Sequence, residues 1–332
     1  MTHNKKAIFC TLFDKNYLPH VLVLTDSLEK HVTGFVIYCF CMDEESFLYL
    51  EENNRPGVIC ISHTMLEDRY PELLLSKSNR SKIEYYFTCT ASICSYIFDS
   101  VSSVDLLTYL DADLCFYSSP EPIFDELKTA SVGIIEHKFY SIGKVYEKYG
   151  KFNVGWVSFR NDLSGRKCLE DWRRDCIEWC YDRLENGKFA DQKYLDYWVT
   201  KYTGVYVIQH LGANLAPWNV GNYHLTFAPD KKSILVEGQN LIFYHFAMVK
   251  QLDSLCYITN VSRFFVKLTG IVKNNIYLPY VLKLREYNAR LNKTYIKKDR
   301  KDITKSNLIN KIRYLTRKIR QVVYRDYIKI SL

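Results

Sequence analysis

The sequence predicts an α/β fold, a mainly parallel sheet with helices flanking it. Short apolar runs of strand length alternate with longer stretches whose apolar residues recur at helical spacing. One run, "GFVIYCFCM" at 34–42, is apolar throughout, as a strand covered on both faces is. Another run ends at Leu110 and is followed at once by Asp111 and Asp113. Carboxylates belong at the carboxyl end of such a strand, where open sheets bind ligands.

The elements follow in order. "KAIFCTLF" (6–13) reads as a strand, and "NYLPHVLVLTDSLEKH" (16–31) as an amphipathic helix. After the strand at 34–42, "EESFLYLEE" reads as a short helix and "GVICIS" (57–62) as a third strand. Residues 81–99 give a long apolar helix, 104–110 a strand and 131–137 another. Strand, helix, strand in succession implies parallel pairing with right-handed crossovers. "FNVGWVSFRND" (152–162) reads as a strand whose Gly155 marks a close approach. Helices are expected over 168–184 and 189–202, then short strands within 204–210, 224–227, 232–238 and 241–246. "HLGANLAPWN" (210–219) reads as a shaped loop.

The chain has 332 residues, 48% apolar and 25% charged, which suits a globular core and excludes a disordered chain. Aromatics reach 15%, with 27 Tyr, as in a sugar-stacking surface or a Tyr-rich core. No apolar run approaches the roughly 18–20 residues that span a bilayer. The opening residues lack a signal-peptide pattern, so a cytoplasmic protein is expected. Eleven cysteines, an odd number, then read as reduced and buried; Cys39/Cys41 and Cys176/Cys180 have no zinc-type partner pair. The formal charge is +8, but residues 283–332 alone carry +12 and the rest −4.

Asp111 and Asp113 sit at i and i+2 of an extended chain, so they face the same way and Ala112 faces the other. They suit acid–base work or a hard divalent cation, and their closeness favours the cation, because a glycosidase needs carboxylates on two sides. A diphosphate is the usual client of such a cation. P-loop, dinucleotide, zincin, EF-hand and G-x-S-x-G patterns are all missing from the sequence. A diphosphate–metal site without a P-loop points to nucleotide-sugar chemistry.

Four motifs in order, "YLDADL", "FNVGWVSF", "FADQKYLD" and "FYHFAMVK", resemble the GT-A (Rossmann-like) glycosyltransferases and most of all glycosyltransferase family 8, over residues 6–250. The resemblance implies that Asp111, Asp113 and His245 hold Mn²⁺ or Mg²⁺; alone, His245 reads as a core histidine. It implies donor contacts from Thr11 and Phe13 at the end of the first strand, from Ala112, from Asn153 and Gly155 lining the sugar pocket, and from Lys250 at the diphosphate. Asp191 and Gln192 would stand beside the anomeric carbon as the catalytic pair. Two departures are visible. "HFAMVKQL" lacks the family's Gly and Pro-Trp, and no Arg lies within 83–110. Arg80 and Lys82 are the nearest basic groups and are placed with the donor-binding residues, leaving the donor sugar open. His137, Trp218 and His210 are placed as acceptor contacts, although Trp218 also suits a core.

The resemblance thus implies a metal-dependent transfer, with retention, from a nucleotide sugar to a glycan or lipid-linked glycan, in bacterial surface polysaccharide synthesis such as lipopolysaccharide or capsule. A sugar nucleotidyltransferase would need a Gly- and Arg-rich loop after the first strand, which is missing. A non-catalytic nucleotide-sugar or glycan-binding module would not need the full motif set. The expected organisation is a catalytic domain at 1–255 (a nucleotide-sugar half, 1–137, and an acceptor half, 138–255) and a helical basic region at 256–332. Within 304–327, Leu308, Ile312, Leu315, Ile319 and Val322 recur at 3–4 spacing among Lys and Arg. Such a helix suits an anionic membrane surface, which would place the protein on the inner face of the cell membrane. Nucleic acid is not expected, because no binding-module motif recurs.

Overall fold

A computed structural model describes residues 6–268, 270–291 and 314–330, and the helical backbone of 308–313. The first half alternates as the sequence predicts: β1 (Ala7–Phe13), α1 (Leu18–His31), β2 (Phe35–Cys41), α2 (Glu44–Glu52), β3 (Val58–Ser62). Two helices not expected from the sequence follow, α3 (His63–Arg69) and α4 (Glu72–Asn79). Then come α5 (Lys82–Ser100), β4 (Leu106–Leu110), a short β5 (Leu114–Phe116), α6 (Glu121–Glu126) and β6 (Val132–Glu136). The helix α5 starts where it does because Ser81 and Glu84 form a reciprocal capping box.

The second half holds β7 (Phe152–Arg160), α7 (Leu163–Glu178), α8 (Trp198–Lys201) and β8 (Val205–Val207). The helix expected at 168–184 begins earlier, because Asp162 accepts from the Gly165 N–H and caps it. The helix expected at 189–202 is instead a 3-10 segment, Gln192–Tyr197, followed by α8. Ala190, just before it, takes a positive φ of 44°, which breaks a regular helical entry.

The main sheet has the order β3-β2-β1-β4-β7-β6-β8. Its pairs are parallel except the two made by β7, which runs antiparallel between β4 and β6. That reversal puts the start of β7 beside the end of β4, with Leu110 opposite Trp156. Apolar layers close both faces. One holds Phe9, Leu22, Trp156 and Phe243, the other Ile93, Ile97, Val157 and Trp172, all fully or almost fully buried. Each such side chain contributes roughly 1.5–3 kcal/mol on burial.

Small strands complete the chain: β9 (Leu225–Phe227), β10 (Ile234–Val236), β11 (Gln239–Asn240), β12 (Phe243–His245), β13 (Lys250–Asp253) and β14 (Cys256–Ile258). The pairing of β12 with β5 sets His245 opposite Leu114, one residue past Asp113. After a π-helical turn come α9 (Leu278–Arg290), α10 (Leu308–Val323) and β15 (Tyr327–Lys329). Within 256–332, expected to be helical, the described residues thus include the strands β14 and β15 beside helices α9 and α10. Strand β15 pairs with β14, and Ile328 and Ile330 enter the same buried cluster as Phe9. Asp326, wholly buried, accepts hydrogen bonds from the N–H and hydroxyl groups of both Thr259 and Ser262. Strand β15 thus shares one core with Leu110 and Ala112, beside Asp111.

This attachment orients α10. Gln321 is buried, and the Arg320 guanidinium lies 5.4 Å from the ring centre of Phe265. Leu315, Ile319 and Val322 face outward, 58%, 63% and 68% exposed. Residues 304–307 and the side chains of Leu308 and Ile312 lie outside the described residues.

Because Ile328 fills the core from the last strand, Ile328→Ala should cost about 2–4 kcal/mol of stability. Urea unfolding followed by fluorescence measures it; a loss below about 0.5 kcal/mol, the range of neutral surface changes, would show that β15 is an ornament.

Candidate functional site

The site is built at the carboxyl ends of β1 and β4, where a cavity of about 360 Å³ opens. Phe13, Lys82, Asp111, Ala112, Asp113 and Asn153 line it, as do Asp191, Gln192 and His245. Nine residues named from the sequence are therefore brought together. The backbone N–H of Asp111 donates to Gly155 O at 3.1 Å, fastening the turn after β4 to β7.

Asp111, Asp113 and His245 form the charged centre. His245 Nε2 lies 3.0 Å from Asp113 Oδ1 and 3.5 Å from Asp111 Oδ2. One ligand atom from each of the three lies within 4.8 Å of the others. Two carboxylate oxygens and one imidazole nitrogen suit a cation of the Mn²⁺ or Mg²⁺ kind. The electrostatics agree with a shared cationic target. Burial and the neighbouring Asp113 raise Asp111, against the pull of His245. Burial would raise Asp113 too, but contact with His245 outweighs it and the group ends below its ordinary value. Burial would lower His245, and the two carboxylates more than offset that. The Tyr109 hydroxyl donates to Asp111 Oδ1 at 2.9 Å and fixes that carboxylate.

Asp191 stands close enough to Asp111 to feel its charge. Burial, then that charge, pushes its carboxyl up to about 7. Its backbone carbonyl accepts from Trp172 Nε1 at 2.9 Å, which pins it to α7. The amide of Gln192 donates to Tyr149 O at 3.0 Å, so part of its capacity holds the 3-10 segment Ser141–Tyr149.

Other residues named from the sequence fall elsewhere. Arg80 does not line the cavity. Its guanidinium donates to Cys176 O and Ile177 O at 2.8 and 2.5 Å and so closes the last turn of α7. Lys250 is exposed on β13, opposite Ile258, and also lies outside the cavity lining. Thr11 is fully buried within β1. Trp218 is buried with its ring edge-on to His137 and His245, at 5.1 and 5.0 Å; it backs the site rather than facing an acceptor. His137 is buried behind Asn153. His210 Nδ1 accepts from the Gly212 N–H at 3.1 Å and shapes its own loop.

Several lining residues escaped the sequence reading. Asp14 is buried and pairs with Lys82 Nζ at 2.7 Å. Burial pushes its carboxyl up, but Lys82 and Asn16 outweigh that and leave it below its ordinary value. Tyr17, Tyr86 and Thr90 also line the cavity. The signal was available in "FDKNY", three polar residues directly past β1, where the crevice rule applies as it does past β4.

The raised Asp191 carboxyl sets a pH dependence. Its folded value near 7 exceeds the unfolded 3.8. The folded state therefore holds the extra proton between those limits, and stability falls as pH rises through them. In metal-free buffer, Asp191→Asn should raise the melting temperature, and more at pH 8 than at pH 4. An equal shift at both pH values would contradict the assignment.

No family model matches this chain. Two Bacillus subtilis (strain 168) proteins do. The uncharacterized protein YfnD is 29% identical over 289 residues, 84% of this chain and 89% of its own length. The uncharacterized protein YfnF is 32% identical over 249 residues, 73% of this chain and 81% of its own. Among solved structures, a galactosyltransferase, LgtC, in complex with donor and acceptor sugar analogs is 15% identical. It superimposes with a TM-score of 0.50 over 84% of this chain and 95% of its own. The seven-stranded sheet, its reversed β7 and this likeness establish the GT-A architecture expected from the motifs. At that identity and coverage, the chain belongs to the same family as YfnF.

Proposed function

We propose that this protein is a metal-dependent glycosyltransferase of the family 8 kind, moving a sugar with retention from a nucleotide sugar to a glycan or lipid-linked glycan in bacterial surface polysaccharide synthesis. The observation that carries the reading is the convergence of Asp111, Asp113 and His245 on one point at the rim of the cavity, beside Asp191. The likeness to LgtC, solved with sugar analogs, supports it at the level of fold.

Breaking a sugar–phosphate bond leaves negative charge on the departing diphosphate and positive charge on the sugar ring. Asp111, Asp113 and His245 would hold a divalent cation, Mn²⁺ or Mg²⁺, which would supply the neutralising charge for the leaving group. The chain's own residues do the rest. Lys82, at the mouth and poised against Asp14, offers a second positive charge to the donor. Leu12, Phe13, Ile83 and Phe87 give part of the cavity wall an apolar surface. Asp191, whose carboxyl burial pushes up, can stabilise the sugar's charge when ionised or hold an acceptor hydroxyl when protonated. Tyr17 and Tyr86 give flat faces for a nucleoside.

A screen of nucleotide sugars for Mn²⁺-dependent release of nucleoside diphosphate tests this directly. Asp111→Ala and Asp113→Ala should each lower turnover by on the order of 10²–10³, the usual cost of losing one preorganised electrostatic partner. Full activity in both variants, or in excess chelator, refutes the reading.

The membrane belongs to the same proposal. Among the described residues no helix is long and apolar enough to cross a bilayer. The helix α10 instead presents Leu315, Ile319 and Val322 outward, and Arg317 on the same helix is exposed. This suits a helix lying on an anionic surface at the inner face of the cell membrane, near a lipid-linked acceptor. Each nearby Lys or Arg contributes about 1 kcal/mol there, and salt screens it. Leu315→Asp with Ile319→Asp should abolish cosedimentation with anionic vesicles and leave donor hydrolysis intact. Unchanged cosedimentation removes the membrane from the proposal.

A further inference from the structure

His245 can serve a cation only through a bare Nε2, so its proton must sit on Nδ1. A chain of contacts behind the site settles which nitrogen carries it. Strand β6 ends at Glu136 and β7 begins at Phe152, and His137 and Lys151 stand just beyond them as neighbours across the pairing. Both the backbone N–H and the ring Nδ1 of His137 reach the Lys151 carbonyl, at 3.0 and 3.2 Å. A carbonyl only accepts, so His137 Nδ1 carries the proton and its Nε2 is bare. Burial, which pushes His137 down to about 3, keeps that ring neutral.

The side chain of Asn153 comes next. Its Nδ2 lies 3.3 Å from His137 Nε2 and donates to it. Its Oδ1 accepts from the Gly155 N–H at 3.1 Å, a contact that independently fixes which end of the amide is oxygen. The same Oδ1 stands 3.2 Å from His245 Nδ1, which must therefore donate. His245 Nε2 is left facing the carboxylates. Position 155 has to be glycine for this contact, because a Cβ there would come within 2.6 Å of Asn153 Oδ1 and 2.7 Å of His245 Nδ1. The register of β7 against β6 shifts between Ile134 and Ile135, so that Asn153 pairs with Ile135 at this point. Such irregularities re-aim side chains at functional sites.

We infer that His137 and Asn153 are positioning residues, which relay the orientation of the Lys151 carbonyl to His245 and hold its ring in the tautomer and rotation that a cation needs. This departs from the expectation that Asn153 contacts the donor sugar, since its amide oxygen and nitrogen are both engaged within the protein. The inference rests on the reading of Asp111, Asp113 and His245 as cation ligands. Partners behind a ligating histidine typically govern metal affinity by about 10–100-fold.

The test uses the full chain and Mn²⁺ alone, with no donor. Free-ion paramagnetic resonance gives the affinity, and spin-echo modulation by ¹⁴N reports whether the His245 imidazole is bound. His137→Ala and Asn153→Leu should weaken Mn²⁺ by about 10–100-fold and diminish the nitrogen modulation. His137→Gln, which keeps an acceptor for the Asn153 amide, should restore most of the affinity. If metal-free melting shows that His137→Ala is unfolded, Asn153→Asp against Asn153→Leu decides, because the aspartate keeps the oxygen facing His245. Wild-type affinity and modulation in Asn153→Leu, or equal losses with and without the retained acceptor, overturn the inference. The underlying site fails by a different sign, which is His245→Ala binding Mn²⁺ as tightly as the wild type.

Discussion

The 3.0 Å contact between His245 Nε2 and Asp113 Oδ1 is the interaction on which the site depends. Two carboxylates one residue apart at the edge of a closed core repel each other and lose hydration. Without a positive neighbour they would be held protonated or pushed apart. The pairing of β12 with β5 brings His245 from more than a hundred residues away, so that its Nε2 and the two carboxylates face one point, where a bound cation would supply that charge. Trp218 closes the space behind the imidazole, and Phe264 packs on Trp218, Phe139 and Tyr146 in turn. The charged centre is thus braced by rings drawn from three separate stretches of chain, 139–146, 218 and 264.

Much of this was legible in the sequence, because period and position carry it. Alternating apolar runs gave the layered fold, and a carboxylate pair directly past an apolar run marked the crevice. The close approach implied by Gly155 was correct, and its cause is the Asn153–His245 contact. What could not be read depended on contacts between distant segments. The amphiphilic character of Arg80 is the same whether it meets a sugar or the carbonyls ending α7. Only the packing of α5 against α7 decides between them. Lys82 was found, but its partner Asp14 was not, because the pair joins the start of α5 to the end of β1. The 3-10 form of 192–197 was hidden by a helical spacing that Ala190 does not allow to begin normally.

The C-terminal region shows the same limit from the other side. Charge and spacing revealed α10, yet "YIKI" is too short to announce a strand, and Asp326 looks like any surface acid. In the fold that acid is wholly buried, with hydroxyl and backbone donors around it. The helix α10, which runs into this anchored strand, keeps the apolar side that the spacing revealed facing out.

The placement of β15 has a consequence for how the protein is made. Ile328 and Ile330 belong to the cluster that also contains Phe9, Leu22 and Trp156. Contacts spanning that much chain close late, since loop-closure entropy must be met before they are rewarded. During synthesis the N-terminal strands can pair as they emerge from the ribosome, but the layer beneath them stays incomplete until the segment around residue 328 has been translated. Until then the nascent chain leaves part of that apolar cluster uncovered. Chaperone occupancy should persist on the nascent polypeptide until that segment has emerged.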